Sequence, residues 1–282
     1  MLGGVNTPAL PLVDRARCVT RCVPQAVACR RTAAHVWGLD PLASAIPAAD
    51  RPVEIMVPAE LAIPGCLVHV MSVPSGDVTE HAGVRLTTLD RTAFDCARWL
   101  PRLEAVTVVD QFLRRGVDLD GLLHRPTTSR RVRDILALAD RRAASPRESW
   151  LRVILIDGGL PRPTAQIRVP LPGDRNAYLD LGWEPYKVAV EYDGRAHHAG
   201  PADQRRDDLR RQELNRLGWR VIAVGRDVIP ARTADFLEHV ANALMERGWQ
   251  PGPDGMIRIL TRIRAARRRS RPRRRHLRSF DF

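Results

Sequence analysis

The stretch Asp180-Leu-Gly-Trp183-Glu-Pro-Tyr-Lys187-Val-Ala-Val-Glu191-Tyr192 decides how this chain is read. Glu184–Lys187 places a proline-bearing run of four residues between two β-forming segments, which predicts a hairpin turn. With Trp183 opposite Val188, Leu181 faces Val190 and Asp180 faces Glu191. Alternation along each strand then puts both carboxylates on one face, with Cβ atoms ~5 Å apart. Like charges so placed repel, and an acid within Val188-Ala-Val-Glu191-Tyr192 is costly without compensation. A divalent cation would compensate: Mg2+, or Mn2+, takes one or two carboxylates together with waters and phosphate oxygens. The other reading of the pair is two solvated acids on an exposed sheet face.

Working outward, the pattern is helix, strand, strand, strand, helix, strand, helix, an α/β arrangement. Ser145-Pro-Arg-Glu148 opens the first helix as a capping box, with Pro146 at the first helical position and Arg152 four residues after Glu148. The strands are Gln166–Val169, Tyr178–Trp183 and Lys187–Tyr192. The helix Arg205–Leu217 stops at Gly218, the strand Trp219–Val224 follows, and Phe236–Arg247 is an amphipathic helix. Glu148 is explained by capping alone, or it supports a metal ligand from a neighbouring position. His197 and His198 follow the strand end, where an imidazole could serve as general base toward water. Arg205, Arg210 and Arg211 lie on the next helix, where a guanidinium could bind the scissile phosphate or simply cover a solvated face.

The upstream half reads differently. Residues through Asp14, with Pro8 and Pro11, form an irregular entry, and Arg30–Leu39 is a helix closed by Gly38. Pro52–Val57, Leu67–Ser72 and Val84–Thr88 are short β-like runs separated by Pro/Gly turns, as in a small antiparallel sheet. Helices follow at Thr92–Leu100, Leu103–Arg115 and Val132–Asp140. The division is therefore an α+β domain at 1–142, the α/β domain at 143–250, and a basic tail at 251–282. The arginine run Arg264–Arg278 repels itself and is expected to be disordered when unbound.

Composition limits the function classes. Lys+Arg 45 against Asp+Glu 32 gives a net charge of +13, which attracts polyanions. Lys187 is the one lysine, so the basic character is arginine throughout. Apolar runs such as Val153-Ile-Leu-Ile156 fall far short of the ~20 residues a spanning helix needs, and no membrane role is expected. Cys18, Cys22, Cys29, Cys66 and Cys96 are irregularly spaced with no secretory signal, so reduced thiols and a cytoplasmic location are expected. Cys18, Cys22, Cys29 and His35 match no common zinc spacing.

Four ordered blocks carry a resemblance: Ser145-Pro-Arg-Glu-Ser-Trp-Leu-Arg152, Asp180-Leu-Gly-Trp183, Val190-Glu-Tyr-Asp-Gly194 with His197, and Asp207 through Trp219 with Arg210, Leu214 and Gly218. They resemble the DUF-five-five-nine family, which is similar to the very-short-patch-repair endonucleases of the PD-(D/E)XK, restriction-endonuclease-like fold. The resemblance implies an αβββαβ core, a metal site at Asp180 and Glu191, and a supporting Glu148. Asp193 occupies the place where that motif has lysine, and Lys187 lies upstream on the same strand. Catalysis would then rest on His197 or on an arginine, with Asp193 orienting His197 or a second metal, or would be absent. Arg31-Thr-Ala-Ala-His-Val-Trp-Gly-Leu39 and Thr87-Thr-Leu-Asp-Arg-Thr-Ala-Phe-Asp95 are similar to proteins related to the abortive-infection antitoxins. The expected activity is Mg2+-dependent hydrolysis of nucleic-acid phosphodiesters, DNA before RNA. The alternative is a catalytically inactive nucleic-acid-binding or antitoxin-like regulator that keeps the fold and meets a toxin or antitoxin partner.

Overall fold

The computed structural model describes residues 10–39, 50–126, 129–192, 201–225, 228 and 231–270, with backbone alone at 201–204 and 270. Contacts gather the chain into two units, Met1–Trp150 and Leu151–Phe282. Both are mixed α/β structures.

In the first unit α1 (Leu12–Cys22), β1 (Val27–Ala28) and α2 (Arg30–Val36) precede β2 (Val53–Val57), β3 (Cys66–Val70), β4 (Val78–His81) and β5 (Val84–Thr87). Helices α3 (Leu89–Trp99), α4 (Arg102–Arg114), α5 (Leu119–Leu123) and α6 (Arg130–Leu138) follow. The strands join in the order β3-β2-β1-β5-β4. The sheet is not antiparallel throughout, as the sequence suggested: β2 and β3 run parallel from Val53↔Cys66 to Val57↔Val70, and β1 lies parallel to β5. The segment 58–65 is the reason. At ~3.3 Å per residue its eight residues are long enough to return along the ~17 Å of a five-residue strand, so its prolines and glycine do not make a tight turn.

Helix α1 begins within the stretch that Pro8 and Pro11 marked as irregular. Pro11 sits at the N-cap, where a missing N–H costs nothing, and Leu12, Ala16 and Thr20 are buried. The β4–β5 hairpin turns on Ala82 and Gly83, both at positive φ, a two-residue turn without the usual Asn or Asp signal. The core of this unit gathers Leu12, Ala16, Ala33, Ile55, Val57, Val84 and Leu86.

Helix α7 (Pro146–Asp157) crosses the division between the units. In the second unit come β6 (Thr164–Leu171), β7 (Arg175–Trp183), β8 (Val188–Tyr192), α8 (Pro201–Arg216), β9 (Arg220–Val224), α9 (Thr233–Glu246) and α10 (Gly252–Ser270). With α7 this is the expected α-β-β-β-α-β order, in a sheet ordered β6-β7-β8-β9 whose last pair is parallel. Ile167, Val169, Leu179, Ala189, Leu214 and Trp219 form a core between α8 and the sheet. The one clear departure is α10, where the sequence suggested a structureless tail. Its start hides an apolar repeat at helical spacing, and Ile259 and Ile263 are 2% and 4% exposed. The segment is held by that burial despite its charge. Residues 271–282 lie outside the described part.

Candidate functional site

The hairpin forms in the expected register. Trp183↔Val188, Gly182↔Ala189 and Leu181↔Val190 are paired, and Glu184–Tyr186 makes a 3-10 turn that Lys187 closes in the left-handed conformation at φ 51°. Gly182 is required by close approach: a Cβ there would meet the Val188 carbonyl oxygen and Ile167 Cδ1 at 3.0 Å each. Asp180 and Glu191 lie one step beyond this ladder. Asp180 Oδ2 accepts the Tyr192 N–H at 2.9 Å.

Glu191 has a cation already. Arg210, reaching from α8, donates to Glu191 Oε2 at 3.0 Å and Oε1 at 2.5 Å, and its Nη2 also donates to the Tyr178 carbonyl at 2.9 Å. The Glu191 hydrogen bonds, followed by the charges of Glu191, Asp180 and Asp207, outweigh burial and raise the Arg210 pKa above its ordinary value. The guanidinium thus meets the electrostatic need that suggested a divalent ion. The described donors do not present an open ligand set, because both Glu191 oxygens and one Asp180 oxygen are engaged by the protein itself. Among the described residues no group of three His, Cys, Asp or Glu side chains is gathered within metal-binding range.

Arg210, which the sequence offered as a phosphate ligand, is paired with Glu191 within the fold. Arg205 and Arg211 are exposed on α8. Glu148 is buried at 6% exposure and acts in the cap: its Oε2 accepts the Ala144 N–H at 2.8 Å while its own N–H donates to Ser145 Oγ at 3.2 Å. Lys187 does not stand in for the missing lysine, since its ammonium packs over the Trp219 ring, 4.9 Å from the centroid. Asp193, His197 and His198 lie outside the described residues.

A second cluster, in the first unit, was not foreseen. Arg31 grips Glu104 through Nε and Nη2 at 2.6 and 2.7 Å and reaches Glu54 Oε1 at 3.3 Å. Glu54 and Glu104 are 4% and 3% exposed. His69 Nε2 is shared between Arg30 Nη1 at 3.1 Å and Glu54 Oε2 at 3.4 Å. Burial first, then the Arg30 charge, hold the imidazole below its ordinary pKa against the pull of Glu54. The Arg30 guanidinium also covers the Trp99 ring at 4.8 Å. Beside it Arg91 bridges Asp95 at 2.8 Å and Asp77 at 2.9 Å, and Arg125 takes the other Asp77 oxygen. The partners of Arg31 and His69 come from β2, α2 and α4, so no local spacing announced them; Arg91 and Asp95 alone stand at i,i+4. The signal available was the acid Glu54 within the otherwise apolar Val53-Glu-Ile-Met-Val57.

The two segments that resembled antitoxin-related proteins meet here. Trp37 Nε1 donates to the Thr87 carbonyl at 3.1 Å, and Thr88 caps α3 by accepting the Arg91 N–H.

No helix among the described residues is long and apolar enough to cross a membrane. No solved structure matches the chain. Residues 26–145 match the family described as the AbiEi antitoxin C-terminal domain. Two similar relatives are the uncharacterized proteins Rv2248 of Mycobacterium tuberculosis strain H37Rv and MT2308 of strain CDC 1551. Each is 32% identical over 228 residues, covering 78% of this chain and 81% of the relative. The chain belongs to the family of these mycobacterial proteins, and its residues 26–145 match an AbiEi antitoxin C-terminal domain.

Proposed function

We propose that the chain is an antitoxin-type regulator that binds nucleic acid and acts opposite a toxin partner, without hydrolysing phosphodiester bonds. The observation that carries this reading is the antitoxin-domain match at 26–145, which falls on the sheet and helices of the first unit. The net charge of +13 supports a polyanionic ligand. The Arg210–Glu191 pair supports a non-hydrolytic role, because the acids that would gather a cation are engaged internally.

In this reading the Arg31–Glu104–Glu54 network fixes α2 and α4 against β2, and exposed arginines of the second unit make phosphate contacts that position the protein on its ligand. The test is fluorescence anisotropy with duplex DNA from the region upstream of the chain's own gene and with a scrambled duplex. A supercoiled-plasmid nicking assay with Mg2+, Mn2+ or EDTA runs in parallel. Binding without nicking is expected. Metal-dependent nicking that disappears in Glu191→Gln would overturn the regulator reading.

Metal-dependent hydrolysis remains the second reading because the α-β-β-β-α-β order of 146–224 favours it. It would also draw the second unit into a restriction-endonuclease-like fold. Its acids would be Asp180 and Glu191, its cation Mg2+ or Mn2+, and its general base His197.

A further inference from the structure

Helix α10 carries six arginines, Arg258, Arg262, Arg264, Arg267, Arg268 and Arg269, and no acid after Asp254. One of the six is used within the fold. Arg267 pairs with Glu238 and Asp235 of α9. The other five are exposed, and none has a carboxylate partner among the described residues. At 3.6 residues per turn Arg258, Arg262 and Arg269 align in one row, and Arg264 and Arg268 form a second row about 120° round the helix. Ile259 and Ile263 are buried on the side facing away from the arc between the two rows, and the Ile259 backbone lies 3.6 Å from where a Gly159 Cβ would be.

Such spacing is unfavourable in isolation, because like charges at i,i+4 repel along a helix. Here the repulsion stays on the solvent side of a helix anchored by its apolar face and by Arg267. Exposed Ile257 and Leu260, 63% and 44% exposed, sit between the charges and add apolar contact to the same surface.

We infer that the outer face of α10 is a preformed nucleic-acid interface whose arginines follow a phosphate backbone. This rests on the nucleic-acid-binding reading above and gives it a location. An acidic protein is the less suitable occupant. A phosphate backbone offers charges at regular intervals to rows of guanidiniums, each able to form a bidentate contact.

The experiment measures binding of the full chain to a DNA duplex and to an RNA duplex of the same sequence, across a salt series. The variants are Arg258→Gln/Arg262→Gln/Arg269→Gln and Arg264→Gln/Arg268→Gln. The charge-matched control is Arg130→Gln/Arg133→Gln/Arg141→Gln on and just after α6. Circular dichroism and thermal unfolding establish that each variant is folded, and glutamine keeps helix propensity. The triple variant on α10 should bind about 10- to 100-fold more weakly at moderate salt, with a log–log salt slope shallower by about 2 to 3. The control should stay within about threefold of the parent.

Loss with both duplexes assigns the surface to the phosphate backbone common to them, and loss with one names its source. A parent that binds while the α10 variants bind equally well overturns this inference and leaves the functional reading standing. A parent that binds neither duplex overturns both. Displacement of the duplex by poly-glutamate at equal charge concentration would make α10 an acidic-protein surface and overturn the assignment.

Discussion

Arg210 Nη1 and Nη2 clasp the two carboxylate oxygens of Glu191 at 3.0 and 2.5 Å, a side-on pair in which neither side chain is more than about one third exposed. A guanidinium so placed competes with any metal ion for the same oxygens. Arg210→Ala should therefore bind Mn2+ more tightly than the parent in isothermal titration, and Arg210→Ala/Glu191→Gln should lose the gain. Equal Mn2+ binding by parent and Arg210→Ala would show that the ion pair does not guard these carboxylates.

Removing Arg31 leaves Glu104 and Glu54 buried without their principal cation. Breaking such a pair from one side costs about 3 kcal/mol. Urea unfolding of Arg31→Met should show that loss as a lower midpoint. Adding Glu104→Gln should return part of it, since the stranded charge is then gone.

The pH dependence has a definite sign. His69 titrates lower in the folded chain than its unfolded value near 6.5, because burial and Arg30 disfavour the imidazolium. Between those two values the unfolded state binds more protons, so stability rises with pH. The contribution is fully present above about 6.5 and is lost as the pH falls from there through the folded value. Arg30, Glu54 and Asp95 are the charges that act on the ring. Thermal unfolding at pH about 7.5 and 5.5 should show a smaller drop for His69→Gln than for the parent. The same drop in both would remove His69 from the acid response.

Gly182→Ala should destabilise the chain by about 1–3 kcal/mol, because the atoms a Cβ would strike include a strand carbonyl that cannot rotate away. Gly173→Ala offers the comparison. It has open space around it, and its cost is confined to its positive φ. Equal losses at the two sites would mean that the approach of β8 to Gly182 is slacker than the structure has it.

How much of this was legible depends on the distance over which each feature is encoded. The 183–188 hairpin was readable to the residue, because a proline-bearing turn and strand alternation are local and the partners are neighbours in sequence. Two-residue β1 and five-residue α5 are too short to show a period. The parallel pairing of β2 with β3 depends on where a loop returns, which residue type does not state. At the site, the proximity of Asp180 and Glu191 followed from register, whereas the Arg210 contact required knowing how α8 lies on the sheet. Sequence offered Arg210 either an external phosphate or a solvated face, because it shows the charge and not its partner. The Arg31 network failed to show for the same reason, as Glu54 and Glu104 lie 23 and 73 residues from the side chain that neutralises them.

Lys187, fixed at the head of the hairpin with its ammonium over Trp219, is the only side-chain amine the chain offers. Acylating reagents and lysine-modifying enzymes therefore have a single side-chain address, and it is the turn that leads into Glu191. Neutralising that amine removes the cation from an indole that is itself only 2% exposed. A dye coupled there would sit beside a natural quencher, turning one position into an optical gauge of whether the turn keeps its shape.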